Sequence, residues 1–263
     1  EGGRSLAVRV SRIAEEVLGD VSGLFGFRPD GRVEIVLSDA YDSANGSAQV
    51  LPKNIIRMRL AAPMETTGLS AYDDWLRILM IHELAHICDL DQTWGFTRFL
   101  RWIFGKYIGM NGFVPQFLSE GAGVYAETLL TRTGRGRSSY VNMLLRTAAL
   151  EDRFVDIDQA HLSFSDWPGG NAAYFYGGMF HLWLAEKFGR DAVADLHQNN
   201  ASMPLPYLYW PPAKLAFGES LPDLWDEWRE ELTEKSKRVA QEIEAQGVTP
   251  SRRLTTHGRN ITG

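Results

Sequence analysis

The sequence is short of cysteine, of long apolar runs and of positive charge. Its one cysteine, Cys88, cannot form a disulfide bond within the chain, so cysteine usage gives no evidence about the redox compartment. No run of about 18 apolar residues occurs, so no segment is predicted to span a membrane. The 27 basic residues against 33 acidic ones give a net charge of -6 and no basic face, which argues against nucleic acid as the main partner.

Apolar residues make up 44% of the chain, enough for a core, and their spacing predicts a mostly helical protein. Helices are predicted over residues 6–24, around 82–86, and over 116–130, 139–150, 172–188, 191–197 and 221–246. Strands are predicted over 32–37 and around Ile56, Met58 and Leu60, which alternate with arginines. Residues 41–53, rich in Ser, Asn and Gly, are predicted as a loop, and 203–212 as a connection. Ser70 and Asp73 resemble a capping box before the helix that carries residues 82–86.

These elements predict a single α+β domain over residues 1–246. A small N-terminal mixed sheet with helices, about residues 1–90, is expected above a mostly helical part, about residues 91–246, with a cleft between them. Residues 247–263 are polar and unpatterned, and are interpreted as a tail or linker. The chain begins Glu1-Gly2-Gly3, without an initiator methionine or a signal peptide, so a processed start or a fragment of something longer is expected.

The motif that carries chemistry is His82-Glu83-Leu84-Ala85-His86, an HExxH sequence. On a helix, His82 and His86 lie about 40° apart on one face, so both imidazoles can reach one metal ion. Glu83 stands beside them, placed to accept a proton from a metal-bound water. Apolar residues surround the motif, so the helix is expected to be buried, and buried imidazoles and a carboxylate need a partner.

Glu120, near the start of the helix predicted over 116–130, can supply a third ligand. Two imidazoles, one carboxylate and an open position for water or substrate make a catalytic zinc site rather than a closed structural one, so Zn2+ is the predicted cofactor. Gly121 and Gly123 each disfavour a helix by about 1 kcal/mol relative to alanine. We expect these small residues to let this helix approach the zinc helix closely.

The segment FLSEGAGVYAE, residues 117–127, resembles the Glu-Gly-x-Ala-x-Tyr-x-Glu pattern of gluzincin peptidases, which include the aminopeptidase-N-like enzymes and the peptidase MA-like domains. The resemblance implies a zincin fold, with Glu120 as the third zinc ligand. It also implies that Glu127, two turns further along the same face, is a partner for a zinc-bound histidine. Asp89, one turn past His86, is the alternative partner. Gly123 departs from the pattern, because the family usually has alanine there.

Residues 173–177, AYFYG, are similar to the Tyr-x-Lys-Gly segment of aminopeptidase-like gluzincins, whose tyrosine helps to hold the oxyanion. The resemblance places Tyr174 in that role, since a phenol is a neutral donor that can be aimed at developing charge. Tyr176 stands where the family has lysine and is the other catalytic candidate. The alternative for both rings is an ordinary place in the core.

The strand with Ile56, Met58 and Leu60 precedes the zinc helix, as the substrate-binding edge strand does in zincins generally. A peptide substrate is therefore expected to add to it by backbone pairing, the alternative being a sheet edge with no ligand. The Gly-x-Met-Glu-Asn motif that holds a peptide amine in aminopeptidases is absent. Whether the cleavage is internal or at a chain end stays open.

Residues 94–110 are dense in aromatic rings and also contain Arg98, Arg101 and Lys106. One interpretation is an interfacial helix that makes peripheral contact with a membrane. The other, which we favour from the sequence, is a lid or a packed subdomain beside the cleft.

Residues 30–240 as a whole resemble the N-terminal peptidase domain of large bacterial envelope proteins, in which a gluzincin module precedes a β-propeller. The segments that carry this resemblance are HELAHICDLD (82–91), PQFLSEGAGVYAET (115–128), GRGRSSYVNMLLRTAAL (134–150) and WPGGNAAYFYGGMFHLWLAEKFG (167–189). It implies a periplasmic or secreted location and a covalently linked C-terminal β-propeller. The predicted activity is zinc-dependent hydrolysis of a peptide or protein substrate. The alternatives are a catalytically silent peptide-binding or scaffold module and a metallohydrolase with a non-peptide substrate.

Overall fold

The computed structural model describes residues 2–63, 74–160, 167, 169–208 and 210–252. Helices predominate over these residues, and three short strands form one sheet, which confirms the predicted α+β class. The helices are α1 (Gly2–Phe25), α2 (Trp75–Leu90), α3 (Gly95–Phe104), α4 (Gln116–Leu130), α5 (Ser139–Leu150), α6 (Ala172–Phe188), α7 (Arg190–Ala201), α8 (Trp210–Phe217) and α9 (Leu221–Gln246). The strands are β1 (Glu34–Ser38), β2 (Asn45–Gln49) and β3 (Ile55–Arg59).

The sheet is mixed and has the order β1-β3-β2, with β3 parallel to β1 and antiparallel to β2. The prediction of a loop over residues 41–53 is wrong, because β2 lies within it. The composition of β2 favours a loop, but pairing with β3 satisfies its backbone groups. The absence of a side chain at Gly46 is required by packing, because a Cβ there would lie 2.8 Å from Cδ of Glu83. Gly46 therefore lets the strand approach the helix that carries the HExxH motif.

The HExxH helix α2 is buried nearly all round, as its apolar residues predict. It packs against α1, β2 and α4. Val17 and Val21 of α1, Ile56 and Met58 of β3 and Ile81 of α2 all belong to one hydrophobic cluster. A polar motif inside such a helix is held in place by the apolar residues around it. The predicted capping box at Ser70 and Asp73 lies outside the described residues.

A second hydrophobic cluster fills the helical part of the molecule, between α4, α5, α6, α7, α8 and α9. Helix α4 belongs to both clusters: Leu118 and Tyr125 face the second, whereas Ala122 and Ala126 face the first. The predicted helices after residue 115 are confirmed. Helix α8 was missed, because its first residues lie in the proline- and aromatic-rich stretch predicted as a connection. None of the helices among the described residues is long and apolar enough to cross a membrane.

The two glycines of α4 pack against different helices. The prediction that both let α4 approach α2 is right for Gly123 and wrong for Gly121. Gly123 does face α2, since a Cβ there would overlap the His82 ring. Gly121 instead faces α6, where a Cβ would lie 2.6 Å from the carbonyl carbon of Gly177. A Cβ at Gly177 would in turn overlap the backbone carbonyl of Phe117. The backbones of α4 and α6 therefore meet directly at this glycine pair.

Replacement of Gly177 by alanine is expected to lower the free energy of unfolding by about 1–3 kcal/mol, because the added methyl meets backbone that cannot move without separating α4 from α6. The matched control is Gly19→Ala in α1, where nothing lies within 4 Å of the added Cβ. That change should leave the stability unchanged or raise it by up to about 1 kcal/mol. Urea unfolding of both variants measures the difference, and equal stabilities would contradict the close contact.

Candidate metal centre

The three predicted ligands meet at one point on the floor of a cleft. Nε2 of His82 lies 3.1 Å from Nε2 of His86 and 3.1 Å from Oε2 of Glu120. Nε2 of His86 lies 3.2 Å from the same oxygen of Glu120. The three donor atoms thus form a nearly equilateral triangle, and they are the group among the described residues that can hold a metal ion.

Local structure explains why these side chains converge. His82 and His86 are one turn apart on α2 and point to the same side. Glu120 lies in the second turn of α4, which packs on α2. Gly123 permits the approach, because any larger side chain there would occupy the space of the His82 ring. The ligand set therefore depends on a small residue one turn beyond the third ligand.

The spacing of the triangle fits a metal ion. Ligand atoms placed tetrahedrally at about 2.0–2.1 Å from zinc lie about 3.3 Å apart, close to the separations in this structure. Two imidazoles and one carboxylate leave a further position open toward the cleft. The side chains of His86 and Glu120 are 12% and 22% exposed, so that side of the triangle is reachable from solvent.

Glu83 lies in the wall of the same cleft. Its side chain is buried, and Oε2 has no hydrogen-bond partner among the described residues. Burial raises the pKa of Glu83, an effect that the nearby His86 and His82 oppose. An unpaired buried carboxylate oxygen is costly unless it serves a reactant, so this placement agrees with the predicted role of a base.

Nδ1 of His82, the ring nitrogen that points away from the ligand triangle, lies near Glu127 and Arg135. Nδ1 of His82 lies 3.7 Å from Oε1 of Glu127, so the structure brings Glu127 to the place predicted for it. Arg135, which sequence reasoning missed, lies closer, with Nη2 at 2.9 Å from Nδ1 of His82. Nε of Arg135 donates to Oε1 of Glu127 at 2.7 Å. Arg135 and Glu127 together fix the orientation of the His82 ring.

A glycine-rich turn after α4 delivers Arg135. Gly134 has a φ of +96°, a conformation that glycine tolerates best, and a Cβ there would lie 2.8 Å from Cα of Thr128. Gly136, on the other side of Arg135, is equally close to the Thr128 side chain. The Gly-Arg-Gly sequence directly after a ligand-bearing helix is the signal that could have found this residue.

The charges of the site are strongly coupled. Burial, and then Arg135, would lower the pKa of His82, but hydrogen bonds with Glu120 and Glu127 outweigh both and raise it to about 9. Burial would raise the pKa of Glu120, but hydrogen bonds with His82 and His86 hold it well below its usual range. The pKa of Arg135 is raised by Glu127, against the effect of burial. The third ligand is therefore a carboxylate at neutral pH.

Tyr174 lies at the site, whereas Tyr176 does not. The Tyr174 ring stacks on His82, with centroids 5.9 Å apart, and lines the cleft. Burial, followed by the charge of Glu120, raises the pKa of Tyr174, so its phenol stays a neutral donor. Tyr176 is buried in the second hydrophobic cluster, stacked on Trp225. Its prediction as a catalytic residue is wrong, because residues two apart on a helix point in different directions and Tyr176 faces the core.

Asp89 is not a partner of a ligand histidine, and that prediction is wrong. It lies about 4.5 Å further along the axis of α2 than His86, where other groups reach it. Nδ1 of His197 lies 2.8 Å from Oδ1 of Asp89, and Nδ2 of Asn111 donates to the same oxygen at 2.7 Å. The side chains of Asp89, Asn111 and His197 are all buried. Asp89 therefore joins α2 to α7 rather than supporting the metal site.

His181 extends this buried network. Its Nδ1 lies 2.7 Å from the carbonyl oxygen of Gly177, which can only accept, so Nδ1 carries the proton. Its Nε2 lies 3.2 Å from Nε2 of His197. Burial, and then the neighbouring His197, lower the pKa of His181 to about 3.

The free energy of unfolding is therefore expected to fall on acidification. The unfolded chain protonates His181 near pH 6.5, whereas the folded chain leaves it neutral down to about pH 3. The stability due to this group is fully present above about pH 6.5 and is lost by up to about 1.4 kcal/mol per pH unit below it. Urea unfolding from about pH 7 to about pH 5 measures the slope. His181→Gln should be less stable near pH 7 but have a shallower slope, and an unchanged slope would contradict the assignment.

The predicted substrate strand is also corrected. Ile56 and Met58 lie on β3, which has a strand neighbour on both sides, and their side chains are buried in the first cluster. Leu60 follows β3 and donates its backbone N–H to the carbonyl oxygen of Ser38. These residues cannot offer a free edge. Residues 44–48, which contain most of β2, line the cleft instead, and β2 pairs with β3 on one side.

The cleft has a volume of about 420 Å³. Its lining contains the three ligand residues, Glu83, Arg135 and Tyr174, together with part of β2 and the start of α6. No residue of α3 is part of this lining, so the lid predicted as one interpretation of residues 94–110 does not cover the site in this structure.

Comparisons with known proteins add one distant relative. No protein-family model matches the chain, and no solved structure matches it. An "Uncharacterized protein" of Treponema pallidum (strain Nichols) is 25% identical to it over 254 residues. The alignment covers 94% of this chain and 22% of that protein, so the chain spans about a fifth of the length of this curated relative. The name of that protein states no activity.

Proposed function

We propose that this protein is a zinc-dependent peptidase of the gluzincin type, with a zincin-like fold. The observation that carries the proposal is the triangle of His82, His86 and Glu120 donor atoms on the floor of an open cleft, with the buried carboxylate of Glu83 beside it. A surface patch of histidines and acids would not bring three donor atoms from two buried helices within 3.2 Å of one another.

Zinc suits this donor set better than the harder divalent ions, because neutral imidazole and carboxylate together are typical zinc ligands. His82, His86 and Glu120 would hold it. When bound, zinc supplies a Lewis acid that acidifies water and polarises a carbonyl. The chain contributes the rest of the chemistry.

Glu83 is the proposed general base and acid. Its carboxylate accepts a proton from the attacking water and passes that proton to the leaving amine. Burial raises the pKa of Glu83, which makes its carboxylate a stronger base. The carboxylate needs no other partner for this role, which agrees with the unpaired Oε2.

Two further features of the cleft support a peptide as the substrate. An extended peptide can pair with the side of β2 opposite to β3, which has no strand partner among the described residues, and β2 lines the cleft next to Glu83. Tyr174 can donate its phenol hydrogen to the oxyanion that develops on the substrate carbonyl. A strand edge and an aimed donor favour an extended amide substrate over a compact small molecule.

Arg135 and Glu127 are proposed as positioning residues for His82. Glu127 can accept the hydrogen of Nδ1, which leaves Nε2 of His82 unprotonated and able to bind a metal, and Arg135 holds Glu127 through their ion pair. The loss of such outer contacts typically lowers metal affinity by about 10–100-fold.

The test of the proposed function is digestion of a peptide library by the protein, after removal of metal with a chelator and again after addition of zinc. We expect cleavage that is lost with the chelator and restored by zinc. Binding of zinc without cleavage of any peptide would contradict the proposal and favour the silent peptide-binding module. The periplasmic or secreted location and the C-terminal β-propeller stay predictions.

A further inference from the structure

Helix α3 exposes its apolar side chains to solvent, unlike an ordinary surface helix. Two of its three polar side chains face the protein: Thr97 is 0% exposed and donates to the carbonyl oxygen of Ala201 at 2.6 Å, and Arg101 forms an ion pair with the buried Asp91. Its aromatic side chains face outward, with Trp102 82% exposed. A helix of a soluble protein normally turns its apolar stripe to the core and its polar face to water.

The large apolar side chains of α3 and of the turn after it are here called the aromatic platform. Its members are each more than half exposed: Phe96, Phe99, Trp102, Ile103, Phe104 and Tyr107. Three of the rings form a continuous row, with centroids 6.5 Å apart for Phe96 and Phe99 and 6.3 Å apart for Phe99 and Trp102. Isolated exposed apolar residues are ordinary, but a contiguous patch marks an interaction surface.

A second apolar ridge lies next to the platform. Leu205, Tyr207 and Trp210 are each more than half exposed, and the Tyr207 ring contacts Phe113 with centroids 5.6 Å apart. The hydrogen bond from Thr97 to Ala201 ties α3 to the segment that leads into this ridge. The segments that carry the platform and the ridge therefore pack against each other.

The two segments that carry the platform and the ridge contain no acidic residue, although the net charge of the chain is -6. Residues 92–119 contain Arg98, Arg101 and Lys106, and residues 196–218 contain Lys214. Arg101 and Lys106 pair with Asp91, whereas Arg98 is exposed on α3. Exposed tryptophan, tyrosine and phenylalanine side chains with an exposed arginine among them match the region where lipid headgroups meet acyl chains.

We infer that the aromatic platform and the adjacent ridge rest on a membrane surface that contains anionic lipid. The aromatic rings enter the interface, and Arg98 meets a lipid phosphate. The polar contacts of Thr97 and Arg101 hold α3 against the protein, so the helix lies in the plane of the interface. This inference is independent of the proposed peptidase activity, since none of its residues belongs to the metal centre.

The experiment is flotation of the 263-residue protein with vesicles of phosphatidylcholine alone and of phosphatidylcholine mixed with phosphatidylglycerol. We expect binding that is stronger on the mixed vesicles and that weakens about tenfold or more in the double variant Phe99→Ser, Trp102→Ser. The matched control is Tyr140→Ser with Ile243→Ser, two residues exposed elsewhere to a similar degree, which should bind as the unchanged protein does.

The charge is tested separately. Arg98→Glu should reduce the preference for the mixed vesicles, whereas Arg12→Glu, on the exposed side of α1, makes the same change in net charge and should not. Analytical ultracentrifugation of the same proteins tests whether a second copy covers the platform. Absence of vesicle binding, equal binding by the platform and control variants, or a dimer that the platform substitutions dissociate while vesicles are not bound would each overturn the inference.

Discussion

Replacement of Glu83 by glutamine is expected to lower kcat for peptide hydrolysis by about 10²–10⁴-fold while the metal stays bound. Glutamine has nearly the same shape, and its oxygen can still hold a water, but it cannot accept a proton. The other carboxylates at the site have other contacts, since Glu127 is paired with Arg135. Glu120 is committed to the ligand triangle.

The measurement is steady-state hydrolysis by Glu83→Gln and by the unchanged protein, each with its zinc content determined. The control is Glu15→Gln on the exposed side of α1, which removes the same charge and should leave kcat unaltered. Full activity in Glu83→Gln would remove the proposed mechanism. Loss of both activity and zinc would point to a structural role for Glu83 instead.

Replacement of Gly123 by alanine is expected to weaken metal binding, although Gly123 is no ligand. The added Cβ would lie 2.8 Å from Nε2 of His82 and nearer still to other atoms of that ring. The ring would have to turn away from His86 and Glu120, or α4 would have to move away from α2. We expect a loss of metal affinity of about 10–100-fold, comparable to the loss of an outer contact of a ligand, and a loss of stability of about 1–3 kcal/mol.

Zinc titration and urea unfolding of Gly123→Ala measure both effects. The control is Gly23→Ala, since nothing lies within 4 Å of a Cβ at that position of α1. Alanine is also the residue that the resembled family usually has at the position of Gly123. Unaltered zinc affinity in Gly123→Ala would show that the His82 ring has room to adjust, and that the close packing of α4 on α2 does not fix the site.

The metal centre was predictable because its geometry is mostly local. His82, Glu83 and His86 share one turn of α2, and a helix fixes their relative directions whatever surrounds it. Glu120 required a further inference, since its distance from the histidines depends on how α4 packs on α2. The resemblance of residues 117–127 supplied that step. Glu127 followed for the same reason, being two turns from Glu120 on one helix.

The predictions that are wrong concern residues whose positions depend on contacts between segments distant in the sequence. Residues 45–49 form β2 because β3 is present to pair with them, and their own composition favours a loop. Asp89 pairs with His197, which is far from it in the sequence and reaches it only when α7 packs beside α2. Tyr174 and Tyr176 share one short motif, yet only the packing of α6 decides that the first faces the cleft and the second the core.

Arg135 shows a different kind of failure. From the sequence, Arg135 was predicted only to lie in a basic turn, because a Gly-Arg-Gly sequence does not indicate which group the arginine contacts. The turn matters since it starts where α4 ends, and α4 carries both Glu120 and Glu127. The return of the chain toward α4 brings the guanidinium to the outer face of His82. Helix α3 was likewise found as an aromatic segment, but which of its sides faces outward could be seen only in the structure.

Zinc binding by the unchanged protein and by ligand variants tests the central claim most directly. Isothermal titration should give one zinc per chain, with an affinity that falls about 100-fold or more in each of His82→Ala, His86→Ala and Glu120→Ala, and stays the same in Glu83→Gln. The decisive variant is Glu120→Ala, because Glu120 comes from a different helix than the histidines. Zinc affinity unchanged by that substitution would contradict the three-residue site on which the proposed hydrolysis depends.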